Sequence, residues 1–278
     1  MTATAVGRPT REPIAWGAIR AIVVRDLTAV RRAKAVFLPM LFVPALLLVV
    51  LPFAIGLAAR SVGTVDVTPF LERLPADLAA PIATRPPAEQ MILLVNGYLL
   101  APLFLIVPLM VSAVLAADAF AGEKERRTLE SLLHLPVSDR DLFLAKLLVS
   151  FLPALAVSWL GFVCFAVVSN GVGWPVVHRI FVPTQLWMVM ILWVAPAVAA
   201  LGLGVMVRVS ARAHTAQEAN QLGGAVILPL IFLAMGQATG LLLVDLPIAI
   251  GIGAFVWLIA VWLIARGAQR FTRDRLSV

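Results

Sequence analysis

Six long stretches of this chain are apolar and almost free of charge, and each is long enough to cross a lipid bilayer. A helix of about 20 apolar residues spans the roughly 30 Å of hydrocarbon in a membrane. Five of the stretches are residues 36–59, 91–117, 180–207, 222–244 and 246–265. The remaining one, third along the chain, begins near Leu142 or Leu147 and ends at a polar turn of Ser169, Asn170 and Gly171. The sequence therefore predicts an all-α membrane protein with six transmembrane helices. Because only a short turn at Asp245 separates the last two stretches, the alternative is five spans with one re-entrant segment.

The composition excludes an ordinary soluble domain. Hydrophobic residues make up 62% of the 278 residues and charged residues only 13%, whereas soluble domains carry about 25% charged residues. The formal net charge of +7 raises the question of nucleic acid. The basic residues, however, are scattered between apolar stretches and do not form the basic patches that nucleic-acid-binding domains use. We therefore expect contact with membrane lipid and none with nucleic acid.

The basic residues predict the orientation of the chain in the membrane. Of the 22 Lys and Arg residues, 18 lie in the N-terminal segment, residues 118–146, residues 208–220 and the C-terminal tail. The connections on the other side hold four. Cytoplasmic loops carry the excess of Lys and Arg in membrane proteins. We expect a multi-pass protein of the plasma membrane with both termini in the cytoplasm.

The chain divides into one membrane domain with two cytoplasmic ends. Residues 1–35 form the N-terminal segment, 36–265 the six-span domain with an outer loop at 60–90, and 266–278 the tail. The N-terminal segment contains an apolar series at helical spacing, namely Trp16, Ile19, Val23, Leu27 and Val30. This pattern predicts an amphipathic helix in the cytoplasmic membrane interface. The alternative is a soluble helix packed on a partner.

Residues 118–146, between the second and third stretches, hold eleven charged residues. Glu123 and Arg127 are four apart, in the order that favours a helical ion pair. Pro136 ends this helix, because the residue before a proline avoids helical geometry. Ser138 and Asp141 then form a capping box at the start of the third span. The segment predicts a short amphipathic surface helix over residues 118–136, and the alternative is a solvated connector.

The same segment resembles a known family. It reads Gly-Glu-Lys-Glu-Arg-Arg-Thr-Leu-Glu over residues 122–130 and continues with Leu132, Leu133, Pro136, Val137, Ser138, Ala145 and Lys146. This series resembles the signature of the type-2 ABC transporter permeases, the membrane subunits of ABC exporters. Arg127 and Ala145 stand where the signature has glycine. A second series, over residues 209–229, resembles the family's second cytoplasmic loop, so the likeness covers nearly the whole chain.

The resemblance implies a type-2 ABC exporter fold in which residues 118–136 are a cytoplasmic coupling helix that docks on a separate ATP-binding subunit. The residues implied in that contact are Gly122, Glu123, Glu125, Arg126, Thr128, Leu129, Glu130, Leu133 and Pro136. It also implies a homodimer. Gly236 and Gly240 form a GxxxG pair in the fifth span, which lets helices approach closely, within one chain or between two.

The chain lacks the motifs of an ATPase or another enzyme. None of its three lysines follows glycine and precedes serine or threonine, as a P-loop requires. We therefore expect no cofactor here, with ATP and Mg in the partner subunit. His134, His178 and His214 lack metal-ligand spacing, so no metal site is expected.

The six stretches hold no Asp, Glu, Lys or Arg that could carry an ion-coupled mechanism, which favours an energy source outside the membrane. The expected function is a permease subunit of an ATP-driven exporter. The alternatives are a membrane scaffold or a lipid-modifying membrane enzyme without an ATPase partner. Asn96, Ser112 and Gln237 are polar residues inside spans that could line a substrate path; the alternative, which is the commoner role of such residues, is hydrogen bonding between helices.

Overall fold

A computed structural model describes residues 14–32, 34–61, 67–74, 76–126, 137–238 and 244–270. These residues form helices and no strands. Six helices are long and apolar enough to cross a membrane, and we call them spans 1 to 6: Met40–Arg60, Pro87–Glu125, Asp139–Val177, Gln185–Ser210, Ala216–Gln237 and Leu246–Gln269. The prediction of an all-α membrane protein with six spans is confirmed. The last two apolar stretches lie in two separate helices, each long enough to cross a membrane, which favours six spans over the five-span alternative.

Most spans are assembled from shorter helical pieces. The α-helices are Trp16–Arg32, Lys34–Ala45, Leu51–Ser61, Thr68–Leu71, Ala76–Ala83, Pro87–Leu94, Leu100–Phe104, Ile106–Ala117, Glu123–Glu125, Asp139–Val177, Gln185–Val189, Ala195–Ser210, Ala216–Gly223, Leu228–Ala238 and Leu246–Arg270. Wider π-helical turns join several of them, at Leu46–Val50, Val95–Leu99, Asp118–Gly122 and Met190–Val194. Three of these turns come just before Pro52, Pro102 and Pro196. Proline removes one backbone donor and clashes with the preceding turn, so the helix distorts there.

Spans 2 and 4 form the centre of the molecule, since most of their side chains are buried, whereas only a minority of those in the other four spans are buried. Trp187 of span 4 is fully buried and packs on the rings of Phe104, Phe162 and Phe165. Gly202 brings span 4 against span 2, because a Cβ atom at this residue would lie only 2.7 Å from the hydroxyl oxygen of a span 2 serine. Gly202, which has no side chain, therefore allows the close approach of the two central helices.

Span 3 is one continuous helix of 39 residues, Asp139–Val177. The predicted turn at Ser169, Asn170 and Gly171 is wrong, because these residues lie inside the helix. Asn170 instead holds the chain that returns after the helix: its Oδ1 accepts from the Phe181 and Val182 amides at 2.9 and 3.2 Å, and its Nδ2 donates to the Val182 carbonyl at 2.7 Å. The polar residue serves a tertiary contact and does not end the helix.

Spans 2 and 3 reach further at one end than the apolar stretches predict. Residues 118–125 continue span 2, and residues 127–136 of the predicted coupling helix lie outside the described residues. The expectation that the spans hold no ionisable residue is therefore wrong, because Glu123 and Lys146 lie within these helices and are 8% and 0% exposed. The N-cap half of the predicted capping box is confirmed: Ser138 Oγ accepts from the Asp141 amide at 3.1 Å.

The N-terminal helix, Trp16–Arg32, packs on the start of span 3. Its apolar side chains meet apolar side chains of span 3 in one buried cluster that contains Ile19, Ile22, Val23, Leu142, Ala145 and Val149. Asp141 Oδ2 accepts from the Ala15 amide at 3.3 Å and so holds the beginning of the helix. Trp16, which the spacing places on the apolar face, is 63% exposed. The predicted helix is present, and much of its apolar face is buried within this chain.

Candidate functional site

A buried ion pair joins the ends of spans 2 and 3. The Lys146 ammonium group pairs with Glu123 Oε2 and also donates to the Ala119 carbonyl at 2.8 Å. The Lys146 side chain is fully buried, and its Nζ lies 5.8 Å from the centre of the Phe120 ring. A charge removed from water is stable only when it is paired and hydrogen-bonded. This ammonium group has both kinds of partner, so the two helix ends are held together by charge as well as by packing.

A third charged residue, from the N-terminal helix, lies beside the Glu123 carboxylate. Arg25 Nη2 lies 3.6 Å from Glu123 Oε1 and 2.7 Å from Asp26 Oδ1. The Glu123 carboxylate therefore stands between a buried ammonium group and a half-exposed guanidinium group. Removing either cation leaves a desolvated negative charge with less compensation. This carboxylate links the N-terminal helix, span 2 and span 3.

The two residues after Glu123 contact the connection between spans 4 and 5. Lys124 Nζ donates to the Ala213 carbonyl at 3.4 Å, and Glu125 Oε2 accepts from the Ala216 amide at 3.1 Å. Ala216 begins the helix Ala216–Gly223, which Thr215 caps by accepting from the Glu218 amide at 3.0 Å. A carboxylate at a helix N-terminus is stabilised by the unpaired amides and the helix dipole. The segment 122–126 is thus connected to the N-terminal helix, to span 3, and to the chain between spans 4 and 5 together with the first residue of span 5.

The residues predicted for the coupling contact divide into three groups. Gly122 and Glu123 are buried, and a Cβ atom on Gly122 would lie 2.9 Å from Asp118 Oδ1, so a larger side chain would have to displace the Asp118 carboxylate. Glu125 and Arg126 are exposed, and Arg126 donates to Asp118. The others lie outside the described residues, namely Thr128, Leu129, Glu130, Leu133 and Pro136.

The sequence did not predict two ion pairs of the candidate site. The partners of Glu123, namely Lys146 and Arg25, were not identified as such. A signal for Lys146 was present, because a lysine next to a long apolar stretch needs a nearby anion. Arg25 carries no comparable signal, since it is one of several arginines in the N-terminal helix. Within the described ranges, no group of three or more His, Cys, Asp or Glu residues is placed to hold a metal ion.

A family model for ABC-2 family transporter proteins matches residues 71–263. This stretch includes spans 2 to 5, most of span 6 and the segment 122–126. The chain belongs to the ABC-2 transporter family. It is therefore the membrane subunit of an ABC transporter, a class of subunit that works with an ATP-binding partner. Comparison with curated proteins and with solved structures gave no match.

The three polar residues proposed for a substrate path are all fully buried in this ABC-2 family chain. Asn96 Nδ2 donates to the Pro52 carbonyl at 3.5 Å and Gln237 Nε2 to the Tyr98 carbonyl at 3.0 Å, so both join separate spans. Residue 102 is proline and has no amide, so the donor that a regular α-helix would offer to the Tyr98 carbonyl is absent. Ser112 Oγ donates to the Leu109 carbonyl of its own span at 3.0 Å.

The ABC-2 chain also contains an apolar cavity of about 390 Å³ between spans 1, 2, 4 and 5. Its lining includes Met40, Met110, Met206 and Asn220, and none of the three proposed path residues lines it. Gly236, one of the two residues predicted at a dimer interface, is half-buried within Leu228–Ala238. Its predicted companion Gly240 lies outside the described residues.

Proposed function

We propose that this chain is the permease subunit of an ABC exporter and that it couples ATP hydrolysis in a separate subunit to movement of a substrate across the plasma membrane. The observation that carries the proposal is the position of Glu123, buried between Lys146 of span 3 and Arg25 of the N-terminal helix. ATP and Mg bind to the partner subunit. This chain supplies the path through the membrane and the contact that moves it.

The geometry of the segment 122–126 supports coupling through rigid connections. A force applied to the exposed Glu125 and Arg126 reaches span 3 through the buried pair. It reaches the loop before span 5 through the contacts that Lys124 and Glu125 make there. Breaking a buried ion pair costs about 3–5 kcal/mol, so these elements move together before they separate.

Orientation and assembly complete the proposal. The excess of Lys and Arg supports a cytoplasmic position for the segment 122–126 and for both termini. Two copies of the chain related by a two-fold axis form the path between them, since this is the commonest closed arrangement of identical subunits. The small residues around Gly236 suit such an interface in the fifth span.

The test is whether the exposed part of the segment is needed for the ATP-binding subunit. Glu125→Ala and Leu129→Asp are expected to release that subunit during co-purification, or to leave it bound with ATP hydrolysis no longer changed by the membrane subunit. Loss of one partner from a buried charge pair at an interface costs about 2–5 kcal/mol. Glu72→Ala is the matched control, because it removes an exposed carboxylate from the segment between spans 1 and 2. Wild-type co-purification and ATP hydrolysis in both test variants would contradict the proposal.

A further inference from the structure

Two arginine side chains share one tryptophan ring where spans 4 and 6 end. The Cζ atom of Arg266 lies 4.4 Å from the centre of the Trp262 ring, and the Cζ atom of Arg208 lies 5.3 Å from it. Arg266 is four residues after Trp262 on span 6, and Arg208 comes from span 4. Both distances are within the range of a cation–π interaction. The ring therefore gathers two positive charges from separate helices at one place on the surface.

Neither guanidinium group has an acidic partner in the part of the chain that the structure describes. The tryptophan ring attracts both cations but carries no net charge, so the repulsion between them is not cancelled. Other charged residues of this chain do find carboxylates, as Arg25 and Lys146 do with Glu123. A pair of arginines without an anion is a site that an external anion completes.

An apolar stripe leads away from the two arginines along span 6. Phe255, Leu258 and Trp262 are 64%, 73% and 47% exposed and recur at helical spacing on the face that also carries Arg266. From Phe255 to Arg266 the helix rises about 16 Å, at about 1.5 Å per residue. One leaflet contributes about 15 Å to the hydrocarbon of a bilayer, which is half of its roughly 30 Å thickness. The stripe therefore has the length of a lipid acyl chain in one leaflet, and the positive charges lie at its end.

We propose that Arg208, Trp262 and Arg266, together with this stripe, form a binding site for an anionic phospholipid of the surrounding bilayer. The guanidinium groups bind the headgroup phosphate, for which their planar donor geometry is suited. An acyl chain lies along Phe255 and Leu258. A zwitterionic lipid fits the stripe equally well, but its headgroup brings a cation of its own to the arginines. The site therefore selects between lipids by the net charge of the headgroup. The site shares no residue with the segment 122–126 and does not depend on the proposed transport function.

The experiment compares two lipids with identical acyl chains, phosphatidylglycerol and phosphatidylcholine, on the full-length chain in detergent. Native mass spectrometry measures how much of each lipid stays bound. Each arginine near an anionic lipid contributes about a fivefold change in affinity, so R208Q/R266Q is expected to lose about thirtyfold in phosphatidylglycerol binding and R266Q alone about fivefold. Phosphatidylcholine binding should not change. R140Q/R212Q removes two exposed arginines that have no such ring and is expected to bind both lipids as the wild type does.

Three results would overturn the proposal. The first is wild-type binding of phosphatidylglycerol by both R266Q and R208Q/R266Q. The second is an equal loss in R140Q/R212Q, which would mean that net charge alone attracts the lipid. The third is a change in the dimer content of R208Q/R266Q without a change in lipid binding, which would make this face a contact between two copies. If the double variant does not fold, R266Q alone decides, because Arg266 is exposed.

Discussion

Replacing Lys146 by Met tests the buried pair at the end of spans 2 and 3. Methionine has nearly the same length and shape as lysine but no charge, so the change removes the ammonium group and leaves the packing. It takes away the partner of Glu123, which is 8% exposed, and the donor to the Ala119 carbonyl at 2.8 Å. Arg25 Nη2 still lies 3.6 Å from the Glu123 carboxylate, but the buried ammonium group is gone.

The expected loss of stability follows from these contacts. Removing one member of a buried ion pair costs about 3–5 kcal/mol. Because Arg25 remains and its side chain is half-exposed, we expect the lower end of this range, about 3 kcal/mol. For a chain of this size that lowers Tm by about 6–12 °C. The double variant E123Q/K146M carries neither charge and should be more stable than K146M, since a neutral replacement of a whole pair is often tolerated.

The assay is thermal unfolding of the purified chain, followed by tryptophan fluorescence in the same detergent for all variants. Wild type, E123Q, K146M and E123Q/K146M form a double-mutant cycle that isolates the energy of the pair. Arg140→Gln is the control, because Arg140 is an exposed residue in the first turn of the same helix. If K146M unfolds at the same temperature as this control, or if the two single losses add in the double variant, the pair does not stabilise the helix ends and our account of the site is wrong.

Three further predictions concern orientation, helix packing and assembly. Cysteines placed at Arg140 and Arg85 in a cysteine-free chain should react with an impermeant thiol reagent from opposite sides of the membrane, and reaction of both from outside would reverse the inferred topology. Gly202→Ala should cost about 1–3 kcal/mol because the added carbon meets span 2, while Gly251→Ala, where nothing lies within 4 Å, should leave Tm unchanged or higher. Equal effects of the two substitutions would refute this packing argument. A cysteine at Gly236 should cross-link two copies, and its failure while cysteines on other spans do cross-link would exclude this part of span 5 from the interface.

The sequence predicts the fold well because lipid imposes a simple rule. A charge-free apolar stretch of sufficient length becomes a span, and all six were found this way. Local capping chemistry is equally predictable, as the contact between Ser138 and Asp141 confirms. The errors occur at polar residues that have distant partners. The sequence predicted a turn at Asn170, because a polar residue at this place has no visible local partner. Its actual partners, residues 181 and 182, come close only in the folded chain.

The candidate site shows the same division between local and distant information. The segment 122–126 stood out through its charge and its resemblance to a family, and the family is confirmed. The inward position of Glu123 could not be deduced, because it depends on Lys146, which is 23 residues away, and on Arg25 in another helix. The exposed positions of Glu125 and Arg126 agree with a contact surface, and their role toward an ATP-binding subunit stays a prediction.

The pairing of Glu123 with Lys146 also bears on how the nascent chain enters the membrane. A lone lysine makes insertion of a helix less favourable, by an amount that grows with its depth in the hydrocarbon. Its counter-ion lies on the preceding span, which leaves the ribosome first and is already present when Lys146 emerges. Spans 2 and 3 are thus suited to enter the membrane together, with the charge of Lys146 already paired with that of Glu123. A chain in which Glu123 is replaced should insert span 3 less efficiently, before any transport activity exists to be measured.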